Sequence, residues 1–278
     1  MVTPALAHAL LTPEGAPPRR WVVFLHGILG SGANWRGFAK QVLAACPGWG
    51  AALVDLRMHG NSQGFAPPHT VRAAADDLAA LALPGPVGAV VAHSFGGKVA
   101  LAYAAKAPPG LERAWVLDAS PSARPDARGS EGTMRVFSFL ETMAFPLPSR
   151  QAFLDAVVGA GFALPFAQWL AMNLRATDDG FRLRLDLAAV RAMLDDYLAT
   201  DLWHVLEAPP GGVSFHLVLG GRSNAFSPED RARAEALTRV GRVELTVLPE
   251  ADHWVHVDDP AGLFAALVPG LRALGGGA

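Results

Sequence analysis

The stretch from Val87 to Ala105, VGAVVAHSFGGKVALAYAA, leaves little choice of fold. A short apolar run rich in β-branched residues ends at a serine beside two glycines, and an Ala-rich helical pattern follows at once. No residues remain for a loop, so strand and helix must meet at a very tight turn with Ser94 at its apex. The local sequence His93-Ser94-Phe95-Gly96-Gly97 departs from G-x-S-x-G only in Ala92, which stands where the first glycine usually does. Such an elbow strains the backbone of its serine and lifts the hydroxyl above the carboxyl end of the sheet, while small neighbours keep helix and strand from colliding. Glycine turns after strands are common, so the weight of this one depends on the rest of the chain.

The flanking sequence alternates strand and helix. Residues 6–11 read as an edge strand and Pro17-Pro18 as a turn. Trp21–Leu25 is a continuous apolar run of the kind found in central parallel strands, and it ends at the loop His26-Gly27-Ile28-Leu29-Gly30-Ser31-Gly32. A helix over Trp35–Ala45 and a strand over Ala51–Leu56 follow, then the polar loop Asp55–Ser62 and a helix over Val71–Leu83. After the elbow helix, Gly97–Lys106, the strand Ala114–Leu117 ends at Asp118. This βα rhythm predicts a parallel sheet covered on both faces, with ligands bound outside the carboxyl ends of its strands.

From Ser120 to about Pro210 the rhythm changes to helices and turns, with helices expected over 131–143, 149–158, 165–174 and 187–206 and no strong strand until Val213. About 90 residues is too long for a connection between helix and strand. The segment therefore reads as a helical cap inserted after the strand of Asp118, some of its aromatic side chains, Phe139 and Trp169 among them, lining an apolar pocket. The sheet resumes with Val213–Leu219, a helix over 228–240, a strand over Val243–Leu248 and a closing helix over 260–274, with a tail from Gly275. The expected division is thus a core of residues 1–120 and 211–278 and a cap of residues 121–210.

A serine hydroxyl needs an adjacent base, itself held in the right tautomer by a carboxylate. His253 lies in the loop after the last strand, at the same end of the sheet as Ser94, and is the expected base. His256 reads as support for that turn, and His93 as a packed histidine pointing away from the serine. The strand ending at Leu219 is followed by Gly220-Gly221-Arg222-Ser223-Asn224, which offers no carboxylate. Asp118 ends the strand next to the elbow, and neighbouring strands are about 4.8 Å apart, so it can reach an imidazole above Ser94. Asp230, in a helix-capping position, and Asp252, adjacent to the base, are the other candidates for the acid. The backbone N–H groups of Phe95 and Ile28 are the expected donors to a developing oxyanion. His26, Gly27, Leu29, Asn224 and Trp254 are expected to line the substrate pocket with Phe139 and Trp169.

Other classes fit less well. The chain has 278 residues, 51% of them hydrophobic and 17% charged, with a formal net charge of -2, which argues against nucleic acid or an anionic membrane as the main partner. Cys46 is the only cysteine, which excludes a disulfide framework and a Cys-based metal site and suits a buried, inert thiol. The glycines after Trp21–Leu25 form neither G-x-G-x-x-G nor a P-loop, so no nucleotide cofactor is expected. The first residues lack a basic segment followed by an apolar core, so no secretory signal is expected, and no apolar run is long enough to span a membrane.

HGILGSGANW (26–35), DLRMHGNS (55–62), AHSFGGKVAL (92–101), LDASP (117–121), NLR (173–175), LGGRSNAF (219–226) and ADHWVHVDDP (251–260) together resemble the α/β-hydrolase superfamily. They are most similar to the esterase branch that includes the YbfF-type esterases and abhydrolase-domain-containing protein 11. The likeness spans nearly the whole chain and is weakest from about residue 124 to 170. It implies a mostly parallel eight-stranded sheet with helices on both faces, a helical cap inserted after the sixth strand, and a catalytic acid in a D-x-[SA]-P context, here Asp118. It also implies that Arg57 and His59 anchor the loop beside the site. Phe95 stands where Met is more usual and should narrow the acyl side of the pocket; Met58 stands where Asn is common.

The expected activity is therefore cofactor-free, metal-free hydrolysis of short to medium acyl esters, or thioesters, by Ser94, His253 and Asp118. A C–C hydrolase or lyase of the same fold is the alternative; Arg175 or Arg222 facing the cavity, with a carboxylate-bearing substrate, would favour it. A non-catalytic interaction protein would show a disrupted triad. The remaining expectations are a small-molecule substrate, no nucleic acid or membrane insertion, a monomer or weak homodimer, and a cytoplasmic location or, in a eukaryote, an organelle.

Overall fold

A computed structural model describes residues 4–13 and 17–275. Of the expected tail, Gly275 closes the last helix, and residues 276–278 lie outside the described range. The strands are β1 (His8–Leu11), β2 (Arg20–Leu25), β3 (Trp49–Val54), β4 (Val87–His93), β5 (Arg113–Leu117), β6 (Leu174–Thr177), β7 (Gly180–Leu183), β8 (Ser214–Gly220) and β9 (Val243–Leu248). The helices are α1 (Arg36–Ala45), α2 (Val71–Ala79), α3 (Phe95–Ala104), α4 (Glu131–Thr142), α5 (Arg150–Gly159), α6 (Leu164–Leu170), α7 (Leu187–Ala199), α8 (Trp203–Glu207), α9 (Pro228–Arg239), α10 (Val255–Asp258) and α11 (Pro260–Gly275).

Seven strands form the main sheet in the order β1-β3-β2-β4-β5-β8-β9; only β1 runs antiparallel to its neighbour. This is one strand fewer than the eight expected. Among the described residues no further strand pairs outside β1 or β9, the two edges of the sheet. The strand that carries Asp118 is consequently the fifth in chain order.

Central strands are apolar on both sides because both sides are covered. Along β4, Ala89 and Val91 pack with Trp35 and Phe38 beside α1 and with Leu267 and Leu271 of α11. Val90 and Ala92 face the opposite layer, where Ala74 and Leu78 of α2 and Val99 of α3 lie. Fully burying a Leu, Val or Phe side chain contributes about 1.5–3 kcal/mol, so an alternating strand of this kind is secured from two sides at once. Cys46 is buried in the α1/α11 layer, where burial pushes its thiol pKa up, in keeping with an inert role.

After β5 the chain leaves the sheet and returns at β8, as expected, but the excursion is not purely helical. Strands β6 and β7 form an antiparallel hairpin turning through Asp178-Asp179, and Leu147 pairs with Phe181 alongside it. The strands have four residues each and are mostly exposed or half-buried, so they lack the periodicity that marks a longer strand. The single helix expected over 187–206 is two. Thr200 turns extended, the Asp201 carboxylate accepts the Trp203 N–H at 3.1 Å, and the Leu202 N–H donates to the Pro121 carbonyl at 2.9 Å. A second bond, from the Arg124 N–H to the Leu198 carbonyl, joins the two ends of the excursion at its base.

Lys98 of α3 is fully buried beneath this junction. Its ammonium donates to the carbonyls of Ser122, Tyr197 and Thr200 at 2.8, 2.6 and 2.7 Å, and burial, reinforced by the Arg124 guanidinium, pulls its pKa down to about 7. Among the described residues no helix is long and apolar enough to cross a membrane.

Candidate active site

The turn between β4 and α3 puts Ser94 at φ 52° and ψ −118°, a conformation that costs a non-glycine residue roughly 1–3 kcal/mol. Packing enforces it. A Cβ on Gly96 would fall 2.6 Å from the His26 carbonyl oxygen, and one on Gly97 would fall 2.5 Å from Ala119 Cβ. Helix α3 can therefore approach β2 and β5 closely only because these two positions are glycine.

β5 ends beside the elbow, and Asp118 itself adopts a positive φ of 46° that directs its carboxylate over the strand ends. His253 Nδ1 lies 2.7 Å from Asp118 Oδ2, and its Nε2 lies 2.9 Å from Ser94 Oγ. The three side chains, distant in sequence, thus form one hydrogen-bonded line at the carboxyl end of the sheet. The other acid candidates are otherwise engaged. Asp252 accepts the backbone N–H of His253, whereas the ring is bonded to Asp118 and Ser94. Asp230 sits at the third position of α9, where it joins Ser227 in a reciprocal cap and accepts from the hydroxyls of Ser120 and Ser122.

Asp118 has two further partners that sequence reasoning missed. Oδ1 accepts the Gly220 N–H at 3.0 Å, and the Ser223 hydroxyl donates to Oδ2 at 2.5 Å. The segment noted above only for lacking a carboxylate therefore holds the carboxylate that comes from the neighbouring strand. The signal was present in LGGRSNAF, but nothing local said which way the hydroxyl would face.

The loop after β2 is built around two buried histidines. His26 Nδ1–H donates to the Gly27 carbonyl while its Nε2 accepts the Leu56 N–H; His59 Nδ1–H donates to the Arg57 carbonyl while its Nε2 accepts the Leu29 N–H. Both are held neutral, and burial lowers their pKa values to about 4 and about 3, with the His26 charge adding to the effect on His59. Arg57 is anchored by Asp77 at 2.6 Å, matching the anchoring role that the resemblance implies for Arg57 and His59. Asn173, after α6, donates to the Leu29 carbonyl at 2.8 Å. The Leu29 peptide, at φ 63°, is thus gripped on both sides, once from the core and once from the inserted segment. Among the described residues none accepts from the N–H of Ile28 or Phe95.

His93 is a packed, hydrogen-bonded histidine, as expected, and its partner is the loop that carries the base. Its Nε2 meets the His253 carbonyl oxygen at 2.8 Å and its ring lies 4.8 Å from the His253 ring, because the loop after β9 folds back over the end of β4. His256, on α10, packs against His93 and Trp35 and supports the turn as expected. Burial, then the nearby His253, lowers its pKa to about 4, and His93 is driven well below its usual value by burial first and by both neighbours next.

These four imidazoles make a pH prediction. Their folded pKa values lie below the unfolded value near 6.5, so below that pH the unfolded chain binds protons that the folded chain refuses, and stability is lost as pH falls. The loss should set in below about pH 6.5 and steepen toward pH 4, at a slope on the order of 1 kcal/mol per pH unit for each imidazole. Urea midpoints measured at pH 7, 5.5 and 4.5 should fall in that order; equal midpoints would contradict it.

A cavity of about 540 Å³ opens above Ser94. His26, Gly27, Leu29, Trp169, Asn224 and Trp254 border it. Phe139 does not, because its ring packs against Phe162, 5.7 Å away, and Phe162 takes the place on the wall. The apolar wall is instead Phe162, Phe166, Trp169 and Trp254, with the last two edge to face at 4.5 Å.

Residues 22–267 match the sequence profile of the Alpha/beta hydrolase family, across core and insertion alike. The chain belongs to this family. Among curated proteins, the α/β hydrolase is 30% identical over 273 residues to a Mus musculus protein named sn-1-specific diacylglycerol lipase ABHD11, covering 94% of this chain and 83% of the relative. It is 26% identical over 258 residues to 2-succinyl-6-hydroxy-2,4-cyclohexadiene-1-carboxylate synthase of Serratia proteamaculans, covering 91% and 94%. Among solved structures it shares its fold with a marine microorganism esterase, with TM-score 0.78, 20% identity and coverage of 96% and 99%. A serine-hydrolase triad on an α/β-hydrolase fold is therefore what this chain carries.

Proposed function

We propose that this hydrolase cleaves carboxylic esters of short to medium acyl length, and the corresponding thioesters, through an acyl-enzyme. The reading is carried by the unbroken line Ser94–His253–Asp118 facing an apolar-walled cavity. Ser94 Oγ attacks the acyl carbonyl as His253 Nε2 takes its proton. Asp118 holds the imidazole in the tautomer that can accept and stabilises the imidazolium that forms. The N–H groups of Ile28 and Phe95 receive the oxyanion. His253 then protonates the leaving alcohol or thiol, and water activated by the same ring releases the acid. Within the family, the identity to the mouse lipase supports the esterase branch. Core residues 1–120 and 211–278 would supply the chemistry, and residues 121–210 the cap over it.

Carbon–carbon cleavage of a carboxylate-bearing substrate has less support, although one relative is named as a carboxylate synthase. Arg175 and Arg222 are exposed and neither borders the cavity. Arg222 is instead paired with Glu250.

The test is turnover of p-nitrophenyl esters from acetate to dodecanoate, together with labelling of Ser94 by a fluorophosphonate. Turnover of the shorter esters with Ser94 labelled is expected; an enzyme that neither turns over any of them nor takes the label would sink the reading. Ser223→Ala should lower kcat about tenfold at unchanged KM, since it removes one charge-assisted hydrogen bond from the acid. An unchanged kcat would leave the Gly220 N–H as sufficient support for Asp118.

A further inference from the structure

Tyr197, on the inner face of α7, is almost fully buried, yet its hydroxyl ends in a small recess beside Ser94. Ile28, Phe95 and His253 line the same recess, so the phenol stands with the two backbone oxyanion donors and the base. Its ring packs against Phe95 at 5.9 Å, and Ser94 lines the same recess. The position is fixed by an unusual degree of support. The Tyr197 carbonyl accepts from Lys98, whose ammonium also lies 4.5 Å from the ring centroid, and the Arg124 guanidinium lies 5.4 Å from it.

Arg124 decides the direction of the phenol proton. Its Nη2 donates to the Tyr197 oxygen at 3.0 Å, so that oxygen is an acceptor on the cap side. A tyrosine hydroxyl has one proton to give, and with Arg124 occupying the acceptor side, the proton is left for the recess. Burial raises the phenol above its ordinary pKa, so the proton is retained at neutral pH. Neither Lys98 nor Arg124 has a carboxylate within ion-pair distance among the described residues. The Arg124 guanidinium on the phenol oxygen makes the hydroxyl a stronger donor as negative charge develops nearby.

We propose that Tyr197 is a catalytic residue of the cap, a third donor to the oxyanion. The inference rests on the acyl-transfer reading above. In the resting enzyme Ser94 Oγ donates to His253 Nε2, and the phenol oxygen accepts from Arg124. When Oγ bonds to the acyl carbon, the phenol O–H turns to the former carbonyl oxygen, now negative, beside the N–H groups of Ile28 and Phe95. No covalent bond of tyrosine is made or broken. The oxyanion hole is thereby completed by a residue from the inserted segment.

The test is Tyr197→Phe, which keeps the ring against Phe95, Lys98 and Arg124 and removes only the hydroxyl. On p-nitrophenyl butyrate, kcat should fall about 10²-fold with KM nearly unchanged, as for loss of one oxyanion donor. A trifluoromethyl ketone, which forms a tetrahedral adduct with Ser94, should lose affinity by the same factor, and the matching methyl ketone should not. A merely structural role would weaken both ketones alike and raise KM; kcat and adduct affinity within about threefold of wild type would overturn the proposal. A wild type that forms the adduct but cleaves no ester would contradict the ester reading alone. A wild type forming no adduct would overturn both.

Discussion

Ser94→Ala is expected to lower turnover of p-nitrophenyl butyrate by about 10⁴-fold or more, with the urea midpoint unchanged or slightly raised. Removing Oγ takes away the only atom at the elbow that can bond to the acyl carbon. His253 keeps its link to Asp118, and the N–H groups of Ile28 and Phe95 stay where they are. The residue left behind would still polarise an ester carbonyl, so a small remnant above the rate in water is expected rather than none. Stability should not suffer, because among the described residues the hydroxyl is hydrogen-bonded to His253 alone. Turnover close to wild type would mean that the chemistry belongs to another group.

Asp118→Asn is expected to cost about 10⁴-fold in kcat for a different reason. The carboxylate accepts three donors, from His253 Nδ1, the Gly220 N–H and the Ser223 hydroxyl. An amide can accept on one atom only. Its nitrogen would either oppose the Gly220 N–H, donor against donor, or face the Ser223 hydroxyl and the imidazole together, and a donor facing Nδ1 forces the proton onto Nε2, the nitrogen that must accept from Ser94. The enzyme would then hold every residue in place with the base in the wrong tautomer. Labelling by a fluorophosphonate should slow in parallel with kcat. Asp230→Asn and Asp252→Asn, by contrast, should stay within about tenfold, since neither carboxylate touches the imidazole. Full activity in Asp118→Asn would move the acid elsewhere.

Much of this site could be read from the chain, for identifiable reasons. The elbow declares itself because its constraint is local: a strand, one serine and two glycines leave a single geometry. His253 follows from its place after the last strand. Asp118 follows from strand adjacency once the later loop is seen to lack a carboxylate. What escaped notice depends on contacts across the sequence. Ser223 lies 105 positions from the carboxylate it holds. Asn173 reaches the Leu29 carbonyl over 144 positions. Tyr197 sits in a helix whose pattern says only that one face is buried, and nothing in it tells which buried tyrosine looks into the site. The hairpin of β6 and β7 was hidden by its shortness, and the partner of His93 by a loop whose path only the fold defines.

The two hydrogen bonds at the base of the insertion, from Leu202 to Pro121 and from Arg124 to Leu198, bear on how such enzymes diversify. They close the excursion into a cassette whose ends are clipped together a few residues beyond Asp118. Material between the clips can lengthen, shorten or be exchanged without pulling on the acid, because the strain of a new insert is absorbed at the clip instead of at β5. Phe162, Phe166 and Trp169 of the cavity wall lie inside it. Substrate range can therefore drift through the cassette while the proton relay beneath it stays fixed.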